Sequence, residues 1–326
     1  MDHITLNNGN RIPRMMFGSF QMKKQEDMDE VVRAAAGRGV FGFDTSPSYQ
    51  TEKMLAASVN SLIKSCAGRP ESGSDSELLK PDACLPEPGS GRKKDNAGGS
   101  YPAADGLNSA AVLRREDFFL DTKIDSWQMI AKKGQIRPYV EASLKQCGMD
   151  YWDLLLIHWP QPEFFTKTWL AMEKLYEEGI VKNIGVCNFS VRHFKAIARA
   201  GAHYVPMVAQ NEIHPLNTEE ELTEYCRKNN IALQAYSPLC RMLPQIRYNA
   251  LLNILAEKYE VSVAQIVLRW HIERGNIPVV KTGSAKRVQE NTDIFSFALS
   301  EEDHAAISKL DQHFKVFLES RCCPGY

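Results

Sequence analysis

The sequence predicts an α/β protein built as a (β/α)8 barrel. Three observations carry this: eight short apolar runs, a helical apolar period between successive runs, and a polar or ionisable residue closing most of the runs. A chain of 326 residues with 44% hydrophobic composition is long enough for one barrel-sized domain or two smaller ones. A doubly wound open sheet would alternate strands and helices in the same way, and the count of eight favours the barrel.

Residues 3–13, with Asn8-Gly9-Asn10 between short apolar patches, read as a small hairpin ahead of the main fold. Strands are then expected over residues 14–19, 40–45, 117–123, 152–158, 182–187, 207–212, 231–236 and 277–281. Between them, spacings such as Met28, Val31, Val32 and Ala35 predict helices over 26–38, 52–64, 136–147, 168–178, 191–200, 219–229, 263–273 and 286–294. Ser300 followed by Asp303 opens a capping box, so an extra helix is expected to run to Leu310 outside the barrel. The tail from Phe314 to Tyr326 is expected to fold over the barrel mouth.

Residues 66–111 break this rhythm. They are rich in Gly, Pro, Ser and Asp, carry Tyr101 as their one aromatic residue and show no apolar period. Such a segment buries too little surface to offset its ordering entropy, so it reads as a disordered insertion within a single domain spanning 1–326. Entering between the second helix and the third strand, it is expected at the bottom of the barrel, away from the mouth.

A formal net charge of -1 points to neither nucleic acid nor an anionic membrane as partner. The first residues lack the basic start and apolar run of a signal peptide, and no apolar stretch approaches the roughly 20 residues that span a bilayer. A cytoplasmic monomer is the expectation. The eight cysteines are scattered and read as reduced thiols, and with no CxxC or HExxH pattern no metal is expected.

The ends of the expected strands carry the chemistry. Asp44, Lys123 and His158 each close an apolar run, and Tyr49 follows Asp44 by five residues across a Ser/Pro turn. Singly, Asp44 could cap a helix and Tyr49 could pack on the rim. Together they gather ionisable groups where burial makes a charge expensive. A tyrosine hydroxyl titrates near 10 in water, so it is a poor acid until a cation stabilises its phenolate. Lys123 could supply that cation, Asp44 could hold Lys123 charged, and His158 could bond the same substrate oxygen. A proton donor aimed at an oxygen suits carbonyl reduction, given a hydride donor across the carbonyl carbon.

At this point the chain resembles the aldo-keto reductase family. The resemblance rests on Phe43-Asp44-Thr45 through Tyr49 and Glu52, Asp121-Thr122-Lys123, and Asp153 through His158-Trp159-Pro160. It continues through Gly185-Val186-Cys187-Asn188-Phe189, Gln210 through Pro215, Ala235-Tyr236-Ser237-Pro238-Leu239, and Lys281-Thr282 with Arg287, Glu290 and Asn291. The resemblance implies an NADPH-dependent reductase of aldehydes or ketones, an aldehyde reductase type, acting on a small-molecule carbonyl. Tyr49 would be the general acid in a tetrad with Asp44, Lys123 and His158. Asn188 and Gln210 would hold the nicotinamide carboxamide, Tyr236 would stack on the ring, and Ser237 and Leu239 would line the pyrophosphate. Lys281, Thr282 and Arg287 would grip the 2'-phosphate of NADPH, with Glu290 and Asn291 near the adenosine.

Several residues depart from the family pattern. Cys187 stands where serine is usual, Ala209 where asparagine is, Thr282 where serine is, Phe20 where tryptophan is common, and Asp125 where an aromatic residue often sits. A pocket bounded by Phe20, Ser48, Trp159 and Trp127 is therefore expected to be more open or more polar than in relatives selective for aromatic aldehydes. Two other readings compete: a cofactor-binding regulatory subunit with little turnover, and a redox sensor using Cys187 or the Cys322-Cys323 pair.

Overall fold

The computed structural model describes residues 3–67 and 112–323. The chain opens with β1 (His3–Thr5) and β2 (Arg11–Pro13), which pair antiparallel with Ile4 opposite Ile12. Gly9, at φ 87°, makes the turn that an L side chain would strain. Asn8 donates to Asn183 Oδ1 at 2.9 Å and Asn10 to the Lys182 carbonyl at 3.1 Å, so the hairpin closes the end of the barrel where strands begin.

Eight strands form the barrel: β3 (Met16–Gly18), β4 (Gly42–Asp44), β5 (Phe119–Ile124), β6 (Leu154–Ile157), β7 (Ile184–Cys187), β8 (Val208–Glu212), β9 (Ala232–Tyr236) and β10 (Ile277–Lys281). Each pairs in parallel with the next, and β10 returns to β3 to close the ring. Strands buried on both faces read as unbroken apolar runs, as in β6, where all four residues are buried. Gly185 is needed where β7 meets β8: a Cβ there would lie 2.4 Å from the Val208 carbonyl oxygen.

The strands are shorter than their apolar runs, because ladder bonds form only where neighbours overlap. The expected helices are present, for example Gln25–Gly37, Arg137–Cys147 and Val263–Glu273. The helix expected over 52–64 extends over Glu52–Ala67, taking in Cys66 and Ala67 from the expected insertion. The remainder of that segment, 68–111, and the disorder expected of it lie outside the described residues. The helices without a sequence expectation include Ser126–Ala131 and Ala250–Lys258, along with the single turns Pro244–Arg247 and Glu319–Cys322. Ala250–Lys258 does have a capping signal, since Asn249 Oδ1 accepts from the Leu252 amide at 3.1 Å. The extra helix Glu301–Ser308 starts on Ser300, which accepts from the Asp303 amide at 3.2 Å. Trp270 Nε1 donates to Ser308 Oγ at 3.0 Å, tying that helix to the outer layer. No helix among the described residues is long and apolar enough to cross a membrane.

Candidate active site

The barrel register builds the floor of the site. Asp44 at the end of β4 is the ladder partner of Asp121 on β5, and Lys123 lies two residues on, pointing to the same side. Lys123 is fully buried and donates to Asp44 Oδ2, and to the Thr45 carbonyl at 2.9 Å. Gln210 Nε2 reaches Asp44 Oδ2 and Gln234 Oε1, each at 2.9 Å, and Gln234 Nε2 reaches Asp121 Oδ2 at 3.2 Å. A lone charge here would cost several kcal/mol, and this network is what makes the buried cation tolerable.

The two carboxylates share one ammonium unequally. Burial, and then the negative charge of Asp44, push Asp121 well above the usual carboxylate range while Lys123 pulls it down, and the net upward shift favours the neutral acid at this position. Burial works against the Lys123 charge, but Asp44, Tyr49 and Asp121 outweigh it and hold the ammonium above its ordinary value.

Tyr49 ends a 3-10 turn over Pro47–Tyr49, which Gln50 stops in a left-handed conformation at φ 59°. Lys123 Nζ lies 4.9 Å from the Tyr49 ring centroid, and Tyr49 Oη lies 3.4 Å from His158 Nε2. The Phe20 ring meets Tyr49 edge-on with centroids 5.0 Å apart. Burial pushes the Tyr49 hydroxyl up, Lys123 pulls it down, and Asp44 pushes it up again, leaving it above the ordinary 10. Lys123 alone was expected to make the phenolate accessible, but its charge is largely spent on Asp44. Tyr49 is therefore held as a protonated donor.

His158, just past β6, is braced from behind by Asp125, a residue expected at the substrate pocket. Its Nδ1 lies 2.5 Å from Asp125 Oδ1, and the same carboxylate accepts from the Ser48 amide at 2.9 Å and Ser48 Oγ at 3.0 Å. Burial pushes the Asp125 carboxyl up, but His158 and Ser48 push it further down, to below its ordinary value. Asp125 is 5% exposed and absent from the cleft lining, so it does not make the pocket polar as expected.

A cleft of about 660 Å³ opens above this floor. Phe20, Ser48, Tyr49, His158 and Trp159 line one part, and Asn188, Gln210, Tyr236, Ser237 and Leu239 the next. Lys281, Arg287, Glu290 and Asn291 line the far arm. Asn188, at φ 60°, accepts from Tyr236 Oη at 2.7 Å and donates to the His158 carbonyl at 2.8 Å, which cross-braces three strand ends. Cys187 donates its thiol to Gln210 Oε1 at 3.6 Å, and burial pushes that thiol well above its usual range.

Three expected site residues lie outside the lining. Lys123 is beneath the floor. Thr282 is buried and turned toward Ser284, with its Oγ1 3.4 Å from both the Ser284 amide and carbonyl. Trp127 is 54% exposed and packs edge-on against Tyr139 instead, because the short helix Ser126–Ala131 carries it outward. The lining also includes residues with no individual sequence expectation, Arg241 and Phe317 among them. Phe317 arrives with the tail: the amides of Val316 and Phe317 donate to the two oxygens of Glu212 at 2.6 and 2.9 Å. Its ring lies 6.3 Å from Phe20 and 5.9 Å from Tyr236, so the tail does fold over the mouth.

Comparison with known proteins agrees with this barrel of buried ionisable groups. Residues 100–312 match the model of the Aldo/keto reductase family. Glyoxal reductase of Bacillus subtilis (strain 168) is 32% identical over 315 residues, spanning 97% of this chain and 95% of that protein. Methylglyoxal reductase DkgA of Escherichia coli (strain K12) is 33% identical over 228 residues, 68% of this chain and 81% of that one. Among solved structures, an aldo-keto reductase enzyme from a Medee basin deep-sea metagenome library superposes with a TM-score of 0.77 at 30% identity, covering 97% of each chain. The aldo-keto reductase AKR2E4 of Bombyx mori, in complex with NADP, gives 0.76 at 26% identity, covering 98% of this chain and 96% of that one. Fold and relatives define a (β/α)8-barrel oxidoreductase. The chain belongs to the aldo-keto reductase family.

Proposed function

We propose that the chain reduces small aldehydes and ketones with NADPH, seating the carbonyl oxygen between Tyr49 Oη and His158 Nε2 and protonating it from Tyr49. The observation that carries this reading is the pairing of those two polar atoms, 3.4 Å apart, over the buried Lys123–Asp44 pair at the inner end of the cleft.

The residues fit a dinucleotide. The lining runs without a break from His158 past Asn188 and Tyr236 to Lys281 and Arg287, and neither cation has a carboxylate partner among the described residues. Asn188 and Gln210 would hold the carboxamide, Tyr236 would offer its ring face, and Ser237 and Leu239 would line the pyrophosphate. Lys281 and Arg287 would grip a 2'-phosphate, with Thr282 holding their turn and Glu290 and Asn291 beside the adenosine. The bound nicotinamide supplies hydride to the carbonyl carbon.

Tyr49 keeps its proton until an oxygen takes it, and Lys123 stabilises the phenolate that forms. Positioned general acids of this kind contribute roughly 100- to 10,000-fold in rate. Phe20, Trp159 and Phe317 narrow the mouth around a small substrate. Two relatives carry the names glyoxal reductase and methylglyoxal reductase, which makes α-oxoaldehydes the first substrates to try.

The test follows NADPH consumption by the purified protein over glyoxal, methylglyoxal, aromatic aldehydes and open-chain sugars. Turnover with the small dicarbonyls is expected. Tight NADPH binding with no turnover on any carbonyl would overturn the proposal in favour of a cofactor-binding subunit.

A further inference from the structure

We propose that Asp125 is a positioning residue that fixes the proton of neutral His158 on Nδ1 and balances the charge of the imidazolium from which Nε2 hands a proton back to Tyr49. The relay rests on the reductase reading above; the tautomer does not.

The tautomer follows from what each atom can do. Asp125 is a buried carboxylate with donors already on it: the Ser48 amide at 2.9 Å, Ser48 Oγ at 3.0 Å and Ser46 Oγ at 3.3 Å. Those donors suit an ionised group, and an ionised carboxylate only accepts. At 2.5 Å from Asp125 Oδ1, His158 Nδ1 must then be the donor. A neutral imidazole has one N–H, so Nε2 faces Tyr49 Oη with a lone pair and accepts the tyrosine proton.

A consequence is that neutral His158 has no proton to give a substrate oxygen. It can donate from Nε2 only as an imidazolium, and Asp125 is placed to balance that charge. The other charged or titratable groups nearby lie past these two partners. Behind Tyr49 are Lys123, Asp44 and Cys187, with the Lys123 cation paired to Asp44. Behind Asp125 is Glu52, whose carboxyl burial pushes up and which accepts from Thr122 Oγ1 and Ser143 Oγ.

The proton account closes. The Tyr49 O–H bond breaks as the new carbonyl O–H bond forms, while the carbonyl carbon receives hydride from the reduced nicotinamide. The His158 Nε2–H bond then breaks as the Tyr49 O–H bond reforms. His158 is left neutral with its proton on Nδ1, and its side chain, 14% exposed at the cleft, takes one proton from water. One hydride and one proton are consumed per alcohol formed.

The experiment is ¹⁵N NMR of histidine-labelled protein, with the His158 signals among eight histidines assigned by their loss in His158→Gln. In the wild type, neutral His158 is expected to show a protonated Nδ1 and a bare Nε2. A bare Nδ1 with a protonated Nε2 would overturn the proposal, and this measurement needs no variant at position 125. In Asp125→Asn the Ser48 amide still requires an acceptor, which turns the new amide oxygen to Ser48 and its NH2 toward Nδ1. The tautomer is expected to swap to Nε2–H. The fall of reductive kcat with rising pH should begin about one unit lower, so kcat at neutral pH drops about tenfold while KM changes less than about threefold. A wild-type kcat–pH profile in Asp125→Asn would refute the relay. Absence of all carbonyl turnover in the wild type would remove the relay together with the reductase reading, and the NMR result would still decide the tautomer.

Discussion

Replacing the two carboxylates beneath Tyr49 one at a time tests the claim that they share a single positive charge unequally. Asp44→Asn leaves the buried Lys123 ammonium without its direct counterion, and breaking a buried pair in this way costs about 3–5 kcal/mol. Asp121 can ionise in its place, so the loss is expected at the lower end, about 3 kcal/mol. Asp121→Asn swaps one neutral group for another of the same shape, keeps an acceptor for Gln234, and should cost within about 1 kcal/mol. The double variant strips Lys123 of both, and should exceed the sum of the singles by about 1–3 kcal/mol. The pH dependence has a definite sign. Because Asp121 is raised in the folded state, its contribution is fully present below the ordinary 3.8 and is lost as pH rises through the higher folded value. Within that window stability falls with rising pH by up to about 1.4 kcal/mol per unit, and Asp121→Asn should flatten the slope. Urea unfolding followed by the fluorescence of the buried Trp152, Trp169 and Trp270 reads all of this. If Asp121→Asn is as costly as Asp44→Asn at about pH 5 and the double variant is merely additive, the unequal sharing is wrong.

Glu212→Gln replaces one of the two oxygens that accept from the Val316 and Phe317 amides with an NH2 group, costing the tail about 1.5–3 kcal/mol. Proteolysis within 314–323 should accelerate at least tenfold, and unchanged cleavage would show that other contacts hold the tail. Arg287→Ala should weaken NADPH binding about 10- to 100-fold in a fluorescence titration while leaving NADH nearly unaffected; equal losses would move Arg287 away from the phosphate. Cys187, with its thiol pushed up by burial, should react with iodoacetamide far more slowly than the partly exposed Cys66 at about pH 8. Fast modification of Cys187 would revive the redox-sensor reading that its buried geometry argues against.

Much of the fold was legible because strands such as β6 and β7 are buried along their whole length and read as short apolar runs, and because Ser300 announces its helix. The four polar groups at the mouth were legible for the same reason: Asp44, Lys123, His158 and Tyr49 interrupt or follow runs that are otherwise apolar. What escaped the reading depends on which group meets which across the barrel. The Asp125–His158 contact spans 33 residues, Gln234–Asp121 spans 113 and Val316–Glu212 spans 104, and no local period encodes such pairings. Asp125 was visible as a departure from the family pattern, but not its turn away from the pocket toward His158. Trp127 is expected at the pocket, but the short helix Ser126–Ala131 after β5 turns it outward, 54% exposed. The downward pull of Lys123 on Tyr49 was read correctly in sign, but burial, which sequence does not measure, outweighs it.

The most direct test of the account compares wild type with Tyr49→Phe, measuring NADPH affinity and the rate of carbonyl reduction on the same preparations. Phenylalanine keeps the ring against Phe20 and over Lys123 and removes the hydroxyl alone. The account predicts NADPH affinity within about threefold and a fall in kcat of at least about 100-fold. A variant that reduces carbonyls at the wild-type rate would contradict it, since the proton would then come from a group other than Tyr49.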